Sequence, residues 1–479
     1  MHPSGSPSSP SYRGPHLALV AVALAYCATV VLTTSQSVVL SWDEVIYASQ
    51  VARDVPATEF SAPRARGMSL VVLPIAAITS STEAIRIYLT LVSGLALYLA
   101  FRPWIRLVGW AAPVAAGLFA TLWTTLLYGS RVMPNLWVAL TFTGALGCLL
   151  LAMRYGSRRP LYGVVAGLAL ASLVRPTDAL ILAGPVGLYV LVKRYWPGVI
   201  AMSAGLAVGW GSWAVEAFAR FGDPVRRFKS GAGTQDSIGF YLYQHLEGVD
   251  GPYMVCMPTT LCAGFRWSAV LWWLLLPVLA AVGVAVARRG HRSDHLLAIA
   301  AALTLAASYI LVFSFGNSRF LTPSYALLAI PAAAAFVHTV RRRAVWARAA
   351  AAVAATALVG AHFVVQLQTM DRVMATRESS DDAAATRARY MADRLGVKPP
   401  CLVWGDVAVT FAYPMKCQAM VPWGPDATDE ATARRARATT PHTVVLTEGR
   451  TPPPPDAANW EKHRLPGKRD LYAWVSPSR

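Results

Sequence analysis

Charge is what this sequence has least of. Of its 479 residues, 14% are Asp, Glu, Lys or Arg, against about 25% in ordinary soluble chains. That shortage excludes a disordered chain and one that is water-soluble throughout. Lysine is nearly missing, 6 against 37 arginines, a matter of codon usage that carries no chemistry by itself. Cysteine is scarce, six in all, and no spacing among them is that of a zinc site. No internal repeat is evident. Gly405-Asp406 after a short apolar run is the nearest approach to a nucleotide-binding turn, and no G-x-G-x-x-G accompanies it.

Apolar sequence stands where charge is missing: 55% of residues are hydrophobic and the mean hydropathy is +0.43. Eleven runs near bilayer-crossing length occur at 17–32, 85–101, 109–127, 135–153, 160–174, 178–192, 198–218, 267–287, 295–315, 320–340 and 347–368. They predict an α-helical polytopic membrane protein with a membrane domain over residues 17–370. Residues 1–16 read as a disordered Pro/Ser/Gly-rich head on the cytoplasmic side. The run Leu17–Leu32 lacks a small-x-small cleavage site and reads as the first span, not a signal peptide. Gly67–Ser80, with Pro74 inside, is short for a span and reads as an interfacial or re-entrant helix. With the N-terminus inside, the inward segments hold fifteen cations and one acid, Asp294, whereas the outward ones hold twelve cations and eleven acids over longer loops. The positive-inside rule favours this orientation, with long outward loops at 38–84 and 219–266.

A net charge of +18 would suit a nucleic-acid partner in a soluble chain, yet residues 371–479 carry only +3 of it. The remainder flanks spans, so the reading has membrane lipids as partners and no nucleic acid. Residues 371–479 return to a soluble composition. Helical stretches at Asp382–Leu395 and Ala427–Ala438 and short apolar runs at Leu402–Trp404, Ala419–Val421, Thr443–Leu446 and Leu471–Val475 predict a small extracytoplasmic α/β domain. Cys27 and Cys148 fall in spans. Cys256 and Cys262 share the second long outward loop, and Cys401 and Cys417 share the terminal domain, so two local disulfides are expected.

Residues with chemistry gather at the outward span ends. The sharpest group is Ser41-Trp42-Asp43-Glu44-Val45-Ile46-Tyr47. Adjacent carboxylates at the hydrocarbon edge are costly unless used or paired; the plainer alternative is a solvated helix start favoured by its dipole. Arg64 and Arg66 precede Gly67 and suit either a phosphate at membrane depth or lipid headgroups. Glu83 and Arg86 mark the entry to the second span. Arg131, Arg175 and Arg319 occupy three further outward corners. One arginine at a span end is commonly an anchor, whereas several on the face of a carboxylate pair point to a shared anionic-substrate pocket. Phe240–Tyr243, His245, Trp267, Trp272 and Trp273 suit either interfacial aromatics or a sugar groove.

The first span ending in Asp43-Glu44, the long loop with an amphipathic segment, and the corner Arg319-Phe320-Leu321-Thr322-Pro323 resemble the GT-C membrane glycosyltransferases. Within that group the pattern is most similar to the protein O-mannosyltransferases and the aminoarabinose transferases acting on lipid A, over residues 17–340. The resemblance implies a GT-C type bundle of about 11 transmembrane helices. It implies transfer of a hexose or pentose from a polyprenyl-phosphate donor to a cell-envelope glycan, lipid or protein acceptor on the outer face. Asp43 would be the general base on the acceptor hydroxyl in a single inverting displacement. Glu44 would position Asp43 or the acceptor, or help bind a divalent metal. Arg319, with Arg64, Arg66, Arg131 or Arg175, would neutralise the leaving lipid phosphate. Relatives often place another acid in the next outward loop; Arg131 to Asn135 has none, which leaves the metal open. The rival reading is a transporter or flippase for an anionic lipid or glycolipid, and a third is a non-catalytic receptor. Spans nearly free of ionisable groups, with polar residues at one face, suit interfacial catalysis better than alternating access.

Overall fold

In lipid an apolar run can satisfy its own backbone only as a helix or a closed barrel, and all eleven runs fall on helices. The computed structural model describes residues 12–477 apart from 37, 233–237, 252–254, 257–264, 315, 342–344, 425 and 468. The chain opens with α1 (Arg13–Thr33), two short helices α2 (Trp42–Ser49) and α3 (Gly67–Ala76), and then α4 (Thr82–Val108). Next come α5 (Ala111–Ala120), α6 (Trp123–Gly129), α7 (Pro134–Tyr155), α8 (Arg159–Val174), α9 (Pro176–Val192) and α10 (Trp196–Glu216). Two helices, α11 (Pro224–Ala232) and α12 (Leu242–Asp250), lie in the connection to α13 (Trp267–Val286). The bundle closes with α14 (Arg289–Leu311), α15 (Thr322–Arg341) and α16 (Val345–Asp393).

Among the described residues, eight helices are long and apolar enough to cross a membrane, or nine if α5 and α6 are one span. α8 and α9 are shorter apolar helices of 16 and 17 residues, and α3 has only 10. The expected eleven spans thus resolve into eight full ones, one broken pair and two short helices. The break falls between α5 and α6, which meet at 77°. Leu122 there is extended, and the new helix start is capped from a distance: Trp123 N–H donates to Gln366 Oε1 of α16 at 2.9 Å. Trp123 Nε1 adds a bond to the Val249 carbonyl at 2.9 Å, so tertiary partners take over what the straight helix would have supplied.

α16 has 49 residues, roughly 70 Å of helix, and runs without interruption through residue 370. The last span and the first helix of the terminal unit are one rod. Beyond it, the short antiparallel pair of β1 (Val255–Cys256) with β2 (Gly316–Asn317) in the bundle has a larger counterpart. β3 (Cys401–Trp404), β4 (Gln418–Met420), β5 (His442–Glu448), β6 (Glu461–Arg464) and β7 (Leu471–Val475) form one sheet in the order β4-β3-β5-β7-β6. β3 is parallel to both its neighbours and β7 antiparallel to its own. Two helices complete the unit, α17 (Ala408–Met415) and α18 (Glu430–Thr439). Four strands lie on the expected apolar runs; β6, Glu-Lys-His-Arg, is an exposed edge with no apolar alternation to announce it. Cys401 and Cys417 are disulfide-bonded, tying β3 to the start of β4. Cys256 lies in β1, and Cys262 is outside the described residues.

Candidate active site

Ser41 is extended and the chain turns helical at Trp42, placing Asp43 and Glu44 in the first turn of α2, where the helix dipole favours negative charge. Neighbours on a helix are roughly 100° apart, so the two carboxylates face different surroundings. Glu44 turns inward and is fully buried. It accepts from Arg86 Nη1 at 3.1 Å, Val132 N–H at 3.0 Å, and Ser41 N–H and Oγ at 3.0 and 2.9 Å. The Arg131 guanidinium lies 3.5 Å away. Arg86, equally buried, donates further to the carbonyls of Val38, Val39 and Ser130. Burial pushes the Glu44 carboxyl up, but Arg86, Arg131 and the backbone donors overcome it and hold it below the usual range. Glu44 therefore locks three chain segments together beneath the site.

Asp43 turns the other way and keeps 28% of its side chain exposed. Oδ1 accepts from Arg64 Nη2 at 2.7 Å and Oδ2 from Arg319 Nη2 at 2.9 Å. Here too burial raises the pKa, and Arg319 with Arg64 reverses it, so Asp43 is ionised from mildly acidic pH upward. Arg319 reaches it from the corner between β2 and α15. Arg175, between α8 and α9, sits beside them: it pairs with Asp178 at 2.9 Å and donates to the Tyr309 hydroxyl at 2.6 Å. Arg175 and Arg319 lie 5.7 and 5.8 Å from the centre of the Phe320 ring. Together, Asp43, Arg64, Arg175 and Arg319 make a partly open polar cluster.

The other two arginines do not join it. Arg66 pairs with Glu216 at 2.6 Å, donates to Gln50 and stacks 3.8 Å over Phe60. Arg131 stays below, against Glu44. Nearby, His245 is buried with Nε2 3.3 Å from the Tyr309 carbonyl, and burial lowers its pKa to about 4, so it is neutral at neutral pH. Trp272 and Trp273 pack on Tyr325 within the bundle, and Trp267 is exposed.

One member of the cluster had no sequence signal. Asp426, in the turn between β4 and α18, accepts from Arg64 Nη1 and, at 3.0 Å, from Trp42 Nε1. It lies 362 residues from Arg64, in a stretch Trp-Gly-Pro-Asp that carries no recognisable motif. Arg86 was visible only as a cation at a span entry; its role as Glu44's main partner needed the fold.

No protein-family model and no curated protein matches the sequence. Solved structures do. ArnT from Cupriavidus metallidurans bound to undecaprenyl phosphate has a TM-score of 0.68 at 13% identity, over 95% of this chain and 97% of that one. The oligosaccharyltransferase of Archaeoglobus fulgidus, tethered with an acceptor peptide containing the NVT sequon, gives 0.53 at 15% identity, over 90% of this chain and 69% of that one. Its complex with Zn and sulfate gives 0.51 at 13% identity, over 89% and 67%. Over nearly its whole length, the chain has the GT-C fold that these membrane proteins share.

Proposed function

We propose that this chain is a membrane glycosyltransferase moving a sugar from a polyprenyl-phosphate donor to a hydroxyl acceptor of the cell envelope, with the Asp43 cluster on the outer face. The observation that carries the reading is a partly exposed carboxylate gripped by two arginines, Asp43 between Arg64 and Arg319. The undecaprenyl phosphate held by ArnT supports a lipid-phosphate donor.

In the reaction, the acceptor oxygen bonds to the anomeric carbon as the bond from that carbon to the phosphate oxygen breaks. The acceptor proton passes to Asp43, and the electron pair leaves with the polyprenyl phosphate. One displacement of this kind inverts the anomeric centre. Arg64, Arg319 and Arg175 take up the phosphate charge. Because the phosphate draws on the same guanidinium groups that hold Asp43, donor binding loosens their grip and raises the basicity of the carboxylate when it is needed. Glu44 takes no part in proton transfer; it fixes the start of α2 through Arg86. A divalent ion fits the site poorly. Among the described residues no three His, Cys, Asp or Glu side chains converge, and guanidinium groups occupy both carboxylates of α2.

The test is transfer from a panel of labelled polyprenyl-phosphate sugars in membranes holding wild type or Asp43→Asn. Transfer by wild type that collapses in the variant, at equal protein levels, supports the assignment. Equal transfer by both removes Asp43 from the chemistry, and lipid scrambling without transfer by wild type favours a flippase.

A further inference from the structure

Among the described residues, Asp426 of the terminal unit hydrogen-bonds directly to the side chains around Asp43. Asp426 is 4% exposed, and both its oxygens are used: Oδ1 by Arg64 Nη1 and Oδ2 by the indole N–H of Trp42. Trp42 immediately precedes Asp43, and Arg64 gives its other terminal nitrogen to Asp43 at 2.7 Å. A single guanidinium therefore bridges the base and an acid from the far end of the chain. The nearby contact between the same parts, Lys416 with Asp54, is different in kind. Its side chains are 47% and 42% exposed, and such surface pairs contribute little. The Asp426 pair is nearly sealed from water, where an unmatched charge is costly and a matched one is strongly felt.

We infer that Asp426 is a positioning residue for the Asp43 site: by taking part of the charge of Arg64, it sets how tightly Arg64 grips both Asp43 and the lipid phosphate. This deepens the transferase reading and rests on it. With Asp426 present, Arg64 serves two carboxylates, and each is held less strongly than it would be alone. With that charge removed, Arg64 bears wholly on Asp43 and on any phosphate beside it. Phosphate binding strengthens, Asp43 becomes a weaker base, and turnover falls. A residue that merely glued the terminal unit in place would not move binding and turnover in opposite directions.

The experiment uses the full chain in nanodiscs as wild type, Asp426→Asn, Asp426→Glu and Lys416→Ala. Two quantities are read: affinity for undecaprenyl phosphate, and kcat for sugar transfer from the active polyprenyl-phosphate donor. Asp426→Asn is expected to bind undecaprenyl phosphate more tightly and to transfer roughly tenfold more slowly, the scale of one charged hydrogen bond. Asp426→Glu keeps wild-type behaviour, and Lys416→Ala changes neither quantity. Unchanged affinity in Asp426→Asn overturns the inference, as does a joint loss of affinity and rate, the outcome of a purely structural role. If Asp426→Asn does not fold, Trp42→Phe removes only the second donor, throws more of the Asp426 charge onto Arg64, and should weaken undecaprenyl phosphate binding; tighter or unchanged binding sinks the idea. If wild type transfers no sugar, the transferase reading fails on that arm, while the affinity arm still decides the role of Asp426.

Discussion

Asp43 is held below the usual carboxylate range by Arg319 and Arg64, against the effect of burial, and a base so depressed accepts a proton poorly. The free site and the donor-bound site should therefore titrate differently. If Asp43 is the base we propose, the acid limb of kcat/KM in the free protein should lie below the ordinary aspartate value of 3.8. With donor phosphate drawing on the arginines, the limb of kcat moves to higher pH. Coincident limbs in the two profiles would show that phosphate and Asp43 do not share the same cations. Glu44 makes the contrasting case one residue on. Glu44→Gln leaves Arg86 and Arg131 buried without their carboxylate, and the expected loss is about 3–5 kcal/mol of stability, read as a lower melting temperature. Because its folded pKa is depressed, the Glu44 contribution is complete above its ordinary value of 4.5 and is lost only as pH falls through the lower folded value. A Glu44→Gln protein of wild-type stability would refute the clamp.

At the scale of elements, the arginine-bearing loop is aimed by what packs on either side of it. Arg227 of α11, fully buried, donates to the carbonyls of Ala62, Arg64 and Trp213 and pairs with Glu216 at 2.9 Å. On the other side α3 begins at Gly67, whose missing side chain lets it lie against the end of α8. A Cβ there would come within 2.4 Å of Leu173 backbone atoms, which cannot swing aside as a flexible side chain would. Gly67→Ala should therefore push α3 off α8, cost about 1–3 kcal/mol in overpacking, and lower transfer more than Leu70→Ala, an exposed position of the same helix. Equal activity of the two variants would mean that Arg64 does not depend on the seating of α3.

For the whole molecule, the governing question is which way the bundle faces. The orientation we propose from the charge bias of the connecting segments has Asp43 and the terminal sheet outside, and Arg158 and Arg159 inside. An impermeant maleimide should label Asp406→Cys in intact cells, and should label Ser157→Cys only after permeabilisation; both positions are exposed. The reverse pattern would place Asp43 in the cytoplasm and end the reading of an outer-face transferase. The unbroken helix α16 gives the arrangement a mechanical consequence, since it links a packed bundle directly to the unit that supplies Asp426.

The sequence by itself determined where the chain is helical in the membrane, because a bilayer leaves an apolar run's backbone few ways to be satisfied. It also determined the terminal α/β unit, whose apolar runs and turns alternate at strand and helix lengths, and it marked Asp43 and the arginines as polar residues at span ends. Only the tertiary structure decided which of these meet. Arg64 and Arg319 reach Asp43 from 21 and 276 residues away, while Arg66 and Arg131, equally plausible in sequence, are taken by Glu216 and Glu44. The bend before Trp123 and the place of Asp426 were hidden for the same reason. Each is fixed by a side chain more than two hundred residues distant, and a directional hydrogen bond across that separation leaves no periodicity or composition to read.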